Sequence, residues 1–583
     1  MQLIPRLERE PALEIATPSI LNGQRRRWRV APSSPDAGTL GDLPPIVAQL
    51  LARRGLKDRR ETGEFLDIAE SLFEDPGTLP DVDLAVERIA KAQAQGETVA
   101  VYGDFDADGV TGTALLVEAL RRHGVSVTSY IPHRVSEGHG LNVGAVDRLC
   151  ERGVSLIVTV DCGVTDVGAI AHAASRGMDT IVTDHHLLGA TLPQAVAIIN
   201  PQAPHSTYAF EHLTGVGMTL KLAQAILRPA HGDTWSDGLM ELAAIGTITD
   251  MAPLLGENRY IVARGIAELR RSRSIGLRAL MDAARVDPAH ASAETIGFAI
   301  GPRLNAAGRL DHADLALELL ISQDRVRADD LVRQLDGFNE ERRSLTEETL
   351  ARSKELLPAV IPPLIAVGGE GFNPGVVGLV AGKLSEEFGA PAVCYAIENG
   401  TVMGSCRTAP GFHWADALAA CDDLLMRHGG HAQAAGFACE LADLPELTGR
   451  LQAIASEQLG EAKPAADGIA DAEVELADLL GPTFQMLQRM EPFGIGNPAP
   501  VFMTRGVEVQ QVNTMGADSQ HFRMRLRAGS GTWNAVAFRQ RWLQGTALAD
   551  IVYTIGVDHW NGQSRVRLLI EDYAPTAHPR LAI

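Results

Sequence analysis

From residue 98 the chain alternates short apolar runs with amphipathic stretches. The apolar runs fall at 98–102, 126–131, 156–160, 180–183 and 197–199. They are rich in β-branched residues and lack strict apolar–polar alternation, the pattern of strands covered on both faces. Between most of them lie segments with apolar residues at helical spacing, at 111–123, 143–152 and 167–176. Strands alternating with helices predict βαβ units and a parallel sheet. Residues 205–355 read as mostly helical and end in a long charged segment, 324–357. There Leu331, Leu335, Leu345 and Leu350 recur at helical spacing while Glu and Arg fill the outer positions, so one long helix is expected to bridge two domains. Pro358, Pro362 and Pro363 then break the chain, and a second, smaller α/β block runs from 364 to about 458. Beyond about 465, five strand-like runs (501–512, 521–527, 533–538, 550–558 and 565–573) predict a small barrel, with an OB-fold as first candidate. The first 90 residues carry no chemical motif and read as an irregular start with a few short helices.

Composition narrows the class. The chain has 583 residues, enough for about three to five domains. With 45% hydrophobic and 21% charged residues it is neither globally disordered nor collagen-like. No run approaches the roughly 18 apolar residues needed to span a bilayer. The opening MQLIPRLERE lacks the apolar core of a secretory signal, so no membrane is expected. The six cysteines form no CxxC pair, which argues against a disulfide framework or a thiolate zinc site and suits a reducing cytoplasm. A net charge of −21 argues against a nonspecific DNA coat but leaves room for a local basic channel or an acidic metal site. Only six of the 52 basic residues are Lys. Arg suits bidentate phosphate contacts, although genome composition gives the same excess.

Four acidic or His-containing clusters carry the candidate chemistry. Asp104, Asp106 and Asp108 alternate directly after the first predicted strand. In an extended loop, residues two apart face the same way, so these carboxylates are expected to converge. Asp161 follows the strand at 156–160, and Asp184-His185-His186 follows the strand at 180–183. Asp250 ends the segment 245–250. Ligands of an open parallel sheet bind at the carboxyl ends of its strands, so three of the clusters share one rim. Carboxylates packed this densely repel one another unless protons or cations intervene. Carboxylate with imidazole suits Mn²⁺, and carboxylate with water suits Mg²⁺. Two such ions, about 3.5–4 Å apart, would activate water and clamp a phosphate during in-line displacement. A lone pair of acids in a loop is usually a turn, and an adjacent His pair is usually structural. Repetition after consecutive strands is what points to metal.

The Asp-His-His triplet after a strand, with GDFDADG at 103–109, resembles the DHH phosphoesterase superfamily. The segments SEGHGLN (136–142), TVDCG (159–163), VTDHH (182–186), GTITD (246–250) and GPRLNAAGR (301–309) are similar in order and spacing to the RecJ exonuclease family. GVVG (375–378), GSCRT (404–408) and GGHAQAAGF (429–437) look like its DHHA1 domain. The resemblance covers about residues 90–580. It implies an N-terminal extension (1–90), a parallel-sheet DHH catalytic domain (91–255), a helical connector (256–357), an α/β DHHA1 domain (358–462) and an OB-fold barrel (463–583). It also implies a metal-dependent exonuclease specific for single-stranded DNA, working 5′ to 3′ in recombination and repair. A single-strand-binding protein and a helicase are the implied partners.

The same resemblance implies residue roles. Asp106, with Asp104 near it, would hold one Mn²⁺ or Mg²⁺ ion. Asp108, His185 and Asp250 would hold the other, and Asp161 would bridge them. His186 would stabilise the scissile phosphate, and water held between the ions would attack. Arg303, Asn305 and Arg309 would contact DNA phosphates. Ser405, Arg407 and a Gly429-Gly430-His431 turn would hold a terminal 5′-phosphate, since glycine lets backbone N–H groups approach an anion. Three positions depart from the family pattern: Phe372-Asn373 replaces Trp-His, His139 replaces Tyr, and Thr408 replaces Ser. The alternatives are a DHH phosphoesterase acting on short oligonucleotides or nucleotide phosphates, which would be a shorter chain lacking the barrel, and a non-catalytic scaffold, which would lose metal ligands.

The last segment has its own charge. From 501 to 583 there are nine Arg, no Lys and six acids, a balance of +3. Arg523, Arg525 and Arg527 alternate with Phe522, Met524 and Leu526, so one strand is expected to show a basic outer face and an apolar inner one. Such a stripe suits a barrel that tracks a single strand of DNA.

Overall fold

The computed structural model describes residues 19–576 apart from 205, 409–410, 461–466, 517–520, 541, 543–544 and 561–562. The opening MQLIPRLERE segment, and Asp518, Arg541 and Arg580 of the charge count above, lie outside the described residues. The chain divides into two compact units. One takes residues up to 66, 465–491 and those from 498 on, and the other takes 67–464 and 492–497.

The first unit begins with a hairpin of β1 (Ile20–Asn22) and β2 (Arg27–Val30). Sequence patterning does not predict these strands. They are short, and only Leu21 and Trp28 point inward among arginines and polar residues.

The second unit holds the predicted parallel sheet. Its strands are β3 (Thr98–Gly103), β4 (Ser126–Tyr130), β5 (Val154–Val160), β6 (Asp179–Thr183) and β7 (Ala197–Ile199), in the order β4-β3-β5-β6-β7. Every neighbouring pair is parallel. Alternate residues of one strand feed two separate cores. Val99 and Val101 pack with helices Val82–Gln95, Ala107–Arg122 and Gly215–His231 on one face. Ala100 and Tyr102 pack with helices Val143–Glu151 and Val167–Ser175 on the other. Two apolar faces explain why the sequence shows unbroken apolar runs.

Helix Ala107–Arg122 starts where the Asp106 carboxylate caps the N–H groups of Asp108 and Gly109, and it ends with Arg121 and Arg122 in the last turn. Both ends complement the helix dipole. The predicted long helix spans Arg325–Glu355, capped by Asp324. It buries Leu331 and Leu335 in the same core as the first helix layer, and Leu350 in the core of the next sheet.

That sheet comprises β8 (Ile365–Glu370), β9 (Ala392–Glu398), β10 (Thr401–Arg407), β11 (Arg427–Gly430) and β12 (Ala434–Glu440), in the order β11-β12-β10-β9-β8. Back in the first unit, β13 (Gly468–Ala470) adds to β2, and β14 (Ala472–Glu473) adds to β15 (Phe502–Met515). β15 pairs in turn with β16 (His521–Ala528) and β18 (Leu548–Trp560). β17 (Gly531–Ala537) and β19 (Gln563–Pro575) close the five-stranded barrel expected from the sequence. Asp572 on β19 ties the hairpin to the barrel. Fully buried, it accepts the backbone N–H groups of Gln24, Arg25 and Arg26 and the indole N–H of Trp28. Among the described residues no helix is long and apolar enough to cross a membrane.

A buried ion pair locks the second unit beneath its sheet. Lys221 Nζ lies 2.6 Å from Glu257 Oε1, and both side chains are fully buried. Lys221 also donates to the Glu74 carbonyl and sits 3.6 Å from the centre of the Phe73 ring, while Tyr208 donates to Glu257. Removing one partner leaves an uncompensated buried charge, which typically costs about 3–5 kcal/mol. Lys221→Met is therefore expected to destabilise this unit by about 3–5 kcal/mol in denaturant melts. Adding Glu257→Leu should recover more than half of the loss. A single variant that melts like wild type would show that the pair carries no such burden.

Candidate metal centre

The clustered acids come together at the carboxyl edge of the parallel sheet, though not by the route expected from sequence. Asp104 directly follows β3, and its N–H donates to the Val160 carbonyl. The chain then turns into a helix at once instead of continuing as an extended loop. Asp106 is the N-cap residue, and its Oδ1 accepts the N–H groups of Asp108 (2.9 Å) and Gly109 (3.2 Å). Asp108 lies on the first helical turn. Simple alternation therefore fails, and the three carboxylates split between two groups. Asp104 and Asp106 share a group with Asp161, whereas Asp108 joins His185 and Asp250. In each group the ligand atoms lie within 4.8 Å of one another. A third such group, Asp161, His185 and His186, links the two.

Local structure holds some of these side chains firmly. Asp108 accepts the N–H groups of Gly215 (2.7 Å) and Val216 (3.0 Å) at the start of helix Gly215–His231. Asp161 has a left-handed backbone, φ 63°, which is uncommon and strained outside glycine. Gly215 packs so closely over it that an added Cβ would lie 2.4 Å from the Asp161 Cβ. Only glycine at 215 allows the helix start and the carboxylate to meet.

The electrostatics call for cations. Burial, and then Asp106, pushes the Asp108 carboxyl up to about 7. Burial, and then Asp108 and Asp106, pushes Asp250 up to about 9. The same causes hold Asp161 well above the usual range, while burial and Asp104 raise Asp106. Burial, with His186 beside it, pulls the His185 imidazole down to about 3, so it is neutral and its ring lone pair is available. His185 Nε2 lies 3.1 Å from Asp161 Oδ1, a buried oxygen that takes no hydrogen bond. Two lone-pair atoms face each other there, and a divalent ion between them fits this donor set.

Asp184, singled out by sequence only as part of the triplet, has a different task. It accepts Nδ1 of His186 at 2.7 Å and the backbone N–H groups of Val164, His185 and His186. Burial would raise its carboxyl, but these donors and the His186 charge outweigh burial and bring it to about 2. It fixes the ring of His186, which stacks on His431 with centroids 5.6 Å apart. His139, one of the departures from the family pattern, pairs through Nδ1 with Asp104 at 3.0 Å and meets His186 edge-on. Neither pairing leaves a trace in residue spacing.

Beside the acids lies a basic cleft of about 370 Å³, whose lining includes Arg134, Arg309, Ser405, Arg407 and Gly429. Arg309 is half-buried in the cleft wall, and desolvation, followed by repulsion from Arg134, Arg407 and Arg342, pulls its guanidinium down to about 9. Arg407 donates to Ser405 Oγ at 3.2 Å. Gly429 and Gly430 lie on edge strand β11, so the expected glycine turn begins only at His431, whose N–H donates to Ala434. Arg303 and Asn305 are half-buried and already have partners within the protein. Arg303 pairs with Asp336 at 2.6 Å, and Asn305 Oδ1 caps the N–H of Ala107 at 2.9 Å. Phe372 is buried beneath Arg352, and Asn373 closes a turn by accepting the Gly375 N–H. Thr408 donates to the Phe412 carbonyl. On β16, Met524 and Leu526 are buried, with Arg523, Arg525 and Arg527 exposed, as alternation predicts. Arg527 is nevertheless paired with Glu508 across to β15, which reduces the basic stripe to Arg523 and Arg525.

The raised carboxyls make the metal-free protein sensitive to pH. A folded carboxyl raised above its unfolded value adds stability below about pH 4, and that stability is lost as pH climbs through the folded value. For Asp108 and Asp250 the loss runs up to about 7 and about 9. With chelator present, the melting temperature of the second unit should therefore fall between about pH 5 and about pH 9. Mn²⁺ should flatten or reverse the trend, because it binds the deprotonated ligands. A flat profile without metal would contradict the crowding.

Comparison with known proteins agrees with this arrangement. Residues 98–247 match the DHH family N-terminal domain, 360–457 the DHHA1 domain and 470–572 the RecJ OB domain. The single-stranded-DNA-specific exonuclease RecJ of Bacillus subtilis is 37% identical over 569 residues, covering 94% of this chain and 71% of that protein. Its namesake from Salmonella typhimurium is 32% identical, covering 95% of this chain and 100% of the other. The crystal structure of RecJ from Thermus thermophilus in complex with Mn²⁺ superposes with a TM-score of 0.79 at 30% identity, covering 95% of this chain and 80% of that one. The acidic sheet edge, the basic cleft beside it and the C-terminal barrel thus belong to one known assembly, and the chain is a member of the RecJ family of single-stranded-DNA-specific exonucleases.

Proposed function

We propose that this chain removes nucleotides from the 5′ end of single-stranded DNA by metal-dependent phosphodiester hydrolysis, in recombination and repair. The observation that carries the reading is the pair of ligand groups meeting at Asp161, next to a cleft whose arginines repel one another. Acids without enough counter-charge and arginines without enough acid are together complementary to metal ions and a phosphodiester.

Asp104 and Asp106 would hold one ion, Asp108, His185 and Asp250 would hold the second, and Asp161 would serve both, in keeping with the three groups of ligand atoms. Two Mn²⁺ or Mg²⁺ ions would supply an activated water and a clamp on the phosphate. The protein residues do the rest. Asp184 keeps the Nδ1 proton of His186 and leaves the Nε2 edge for the scissile phosphate. His431 packs on that ring and fixes its tilt. Arg309, Arg134 and Arg407, with Ser405, line the cleft and hold the terminal 5′-phosphate. Gly429 and Gly430 leave room for it along β11, next to His431. Arg303 and Asn305 serve by positioning, since one braces the long helix and the other the cap of Asp106. Arg523 and Arg525 on the barrel face, with Arg527 behind its ion pair, track the backbone of the incoming strand. Family membership supports a single-strand-binding protein and a helicase as partners. The free cysteines suit a reducing cytoplasm.

Asp161→Ala should abolish Mn²⁺-dependent release of nucleotides from long single-stranded DNA while DNA binding survives or strengthens, because negative charge beside the phosphate is removed. His185→Ala should be nearly as severe. Near-normal cleavage by Asp161→Ala would sink the two-ion assignment.

Polarity is checked with end-labelled strands. Label at the 5′ end should be released first, and Arg407→Ala should narrow the preference for a 5′-phosphate over a 5′-hydroxyl by about tenfold, as expected for loss of a charge-assisted hydrogen bond. Release beginning at a 3′ label would overturn the direction.

A further inference from the structure

Most of the clustered acids are held by donors. Asp106 caps a helix, Asp108 accepts two N–H groups of the next helix start, and Asp184 accepts three. Asp250 is different. It sits just past helix Met240–Thr249, and among the described residues nothing donates a hydrogen bond to its carboxylate. Its aim depends on the backbone of the turn that follows, 251–255, before helix Gly256–Leu269 begins. That turn starts with strain, since Met251 is a non-glycine residue at φ 61°.

A distant piece of chain closes over this turn. Residues 492–497 belong to the second unit although the residues on either side belong to the first. They form a tight loop in which the N–H of Gly494 donates to the Asn497 carbonyl and the N–H of Asn497 donates back to Gly494. Asn497 is fully buried, and its side-chain amide donates to the Pro492 carbonyl at 2.8 Å. The outer edge of the loop meets the turn directly, where the N–H of Leu254 donates to the Ile495 carbonyl at 2.7 Å. Contact is too close for side chains at two positions. A Cβ on Gly494 would lie 2.7 Å from Leu254 Cδ1. Gly496 has φ 75°, and a Cβ there would press Leu255 and Pro253 at 3.2 Å.

We infer that the 492–497 loop is a strap that positions Asp250, making Gly494 and Gly496 positioning residues for the second metal ion. The inference rests on the reading of Asp250 as a ligand to that ion. Without the strap, the turn still has the bonds from the Met251 N–H to Ile248, from the Ala252 N–H to Thr247 and from the Arg259 N–H to Leu255, and the grip of Asn258 on the Pro253 carbonyl, but none of these reaches the Asp250 side chain. Asp250 can then swing, because no donor among the described residues holds its carboxylate. The other ligands are held elsewhere and are unaffected.

The experiment counts bound Mn²⁺ in the full-length protein by the electron paramagnetic resonance signal of the free ion. Wild type should bind two ions. Gly494→Val and Gly496→Val should each weaken one of them about tenfold, the low end of the effect seen when a metal ligand loses its support. Asp250→Asn should weaken the same ion at least as much. In nuclease assays the half-saturating Mn²⁺ should rise by a similar factor in the glycine variants, with kcat at saturating Mn²⁺ within about threefold of wild type. Melting in chelator should fall somewhat, since Leu254 and Asn497 are buried and Gly496 has φ 75°, so ions are counted at a temperature where every variant is folded. If either valine variant fails to fold, Gly494→Ala and Gly496→Ala replace them, and a smaller shift of the same ion is expected. Wild-type binding of both ions by the glycine variants, with Asp250→Asn impaired, would overturn the strap. Two intact ions in Asp250→Asn would overturn the strap together with the ligand reading of Asp250.

Discussion

Like charge at the edge of the parallel sheet is the constraint around which the rest of the second unit is arranged. Asp104, Asp106, Asp108, Asp161 and Asp250 bring ligand atoms into overlapping groups less than 5 Å across. Asp104, Asp108 and Asp161 are buried, so water screens this charge poorly and the carboxyls of Asp108 and Asp250 are pushed up. The fold meets this in two ways. Helix starts point N–H groups and positive dipole ends at Asp106 and Asp108. Among the described residues, Asp161, His185 and Asp250 receive no such donors and keep lone pairs open. Asp106 and Asp108 thus use some of their lone pairs to shape the site, whereas Asp161, His185 and Asp250 keep theirs for metal.

That division also explains the backbone irregularities near the site. A left-handed Asp161 and a left-handed Met251 are unfavourable locally. Each persists because neighbouring structure over-determines it. Asp161 is pinned by its N–H bond to Thr183 and by the helix start above it. Met251 is followed by a turn tied to the 492–497 loop. The strain falls on Asp161 itself and on Met251, the residue after Asp250, beside two carboxylates that accept no hydrogen bond among the described residues.

The fold was largely legible because its strands are covered on both faces. Unbroken apolar runs bounded by helical periodicity placed β3 to β7 within a few residues, and the five barrel strands followed from turn spacing. The first hairpin was not legible, since β1 and β2 bury a single large residue each. At the site, residue types were readable and their geometry was not. Alternation of Asp104, Asp106 and Asp108 implied one face, but the capping preference of Asp106 started a helix and sent Asp108 to a different group. Arg303, Asn305 and Arg527 show the complementary point. Sequence shows that a polar group exists but not whether Asp336, the Ala107 N–H or Glu508 already occupies it.

An acidic chain that binds DNA has to do so locally. At a net charge of −21 the long-range field opposes a polyanion, and at physiological salt the Debye length is about 8 Å. Beyond that distance the mean repulsion is screened, and within it only the nearest charges count. In the proposed reading the cleft supplies those charges through Arg134, Arg309 and Arg407, whose mutual repulsion a phosphate would relieve. The same phosphate would be repelled by the acids next door unless metal is present first. Substrate binding at the cut should therefore depend on metal even before chemistry, while the grip of the barrel arginines should not. Acid cluster and arginine cluster are each unstable alone, and a phosphodiester with its metal ions is the ligand that neutralises both together.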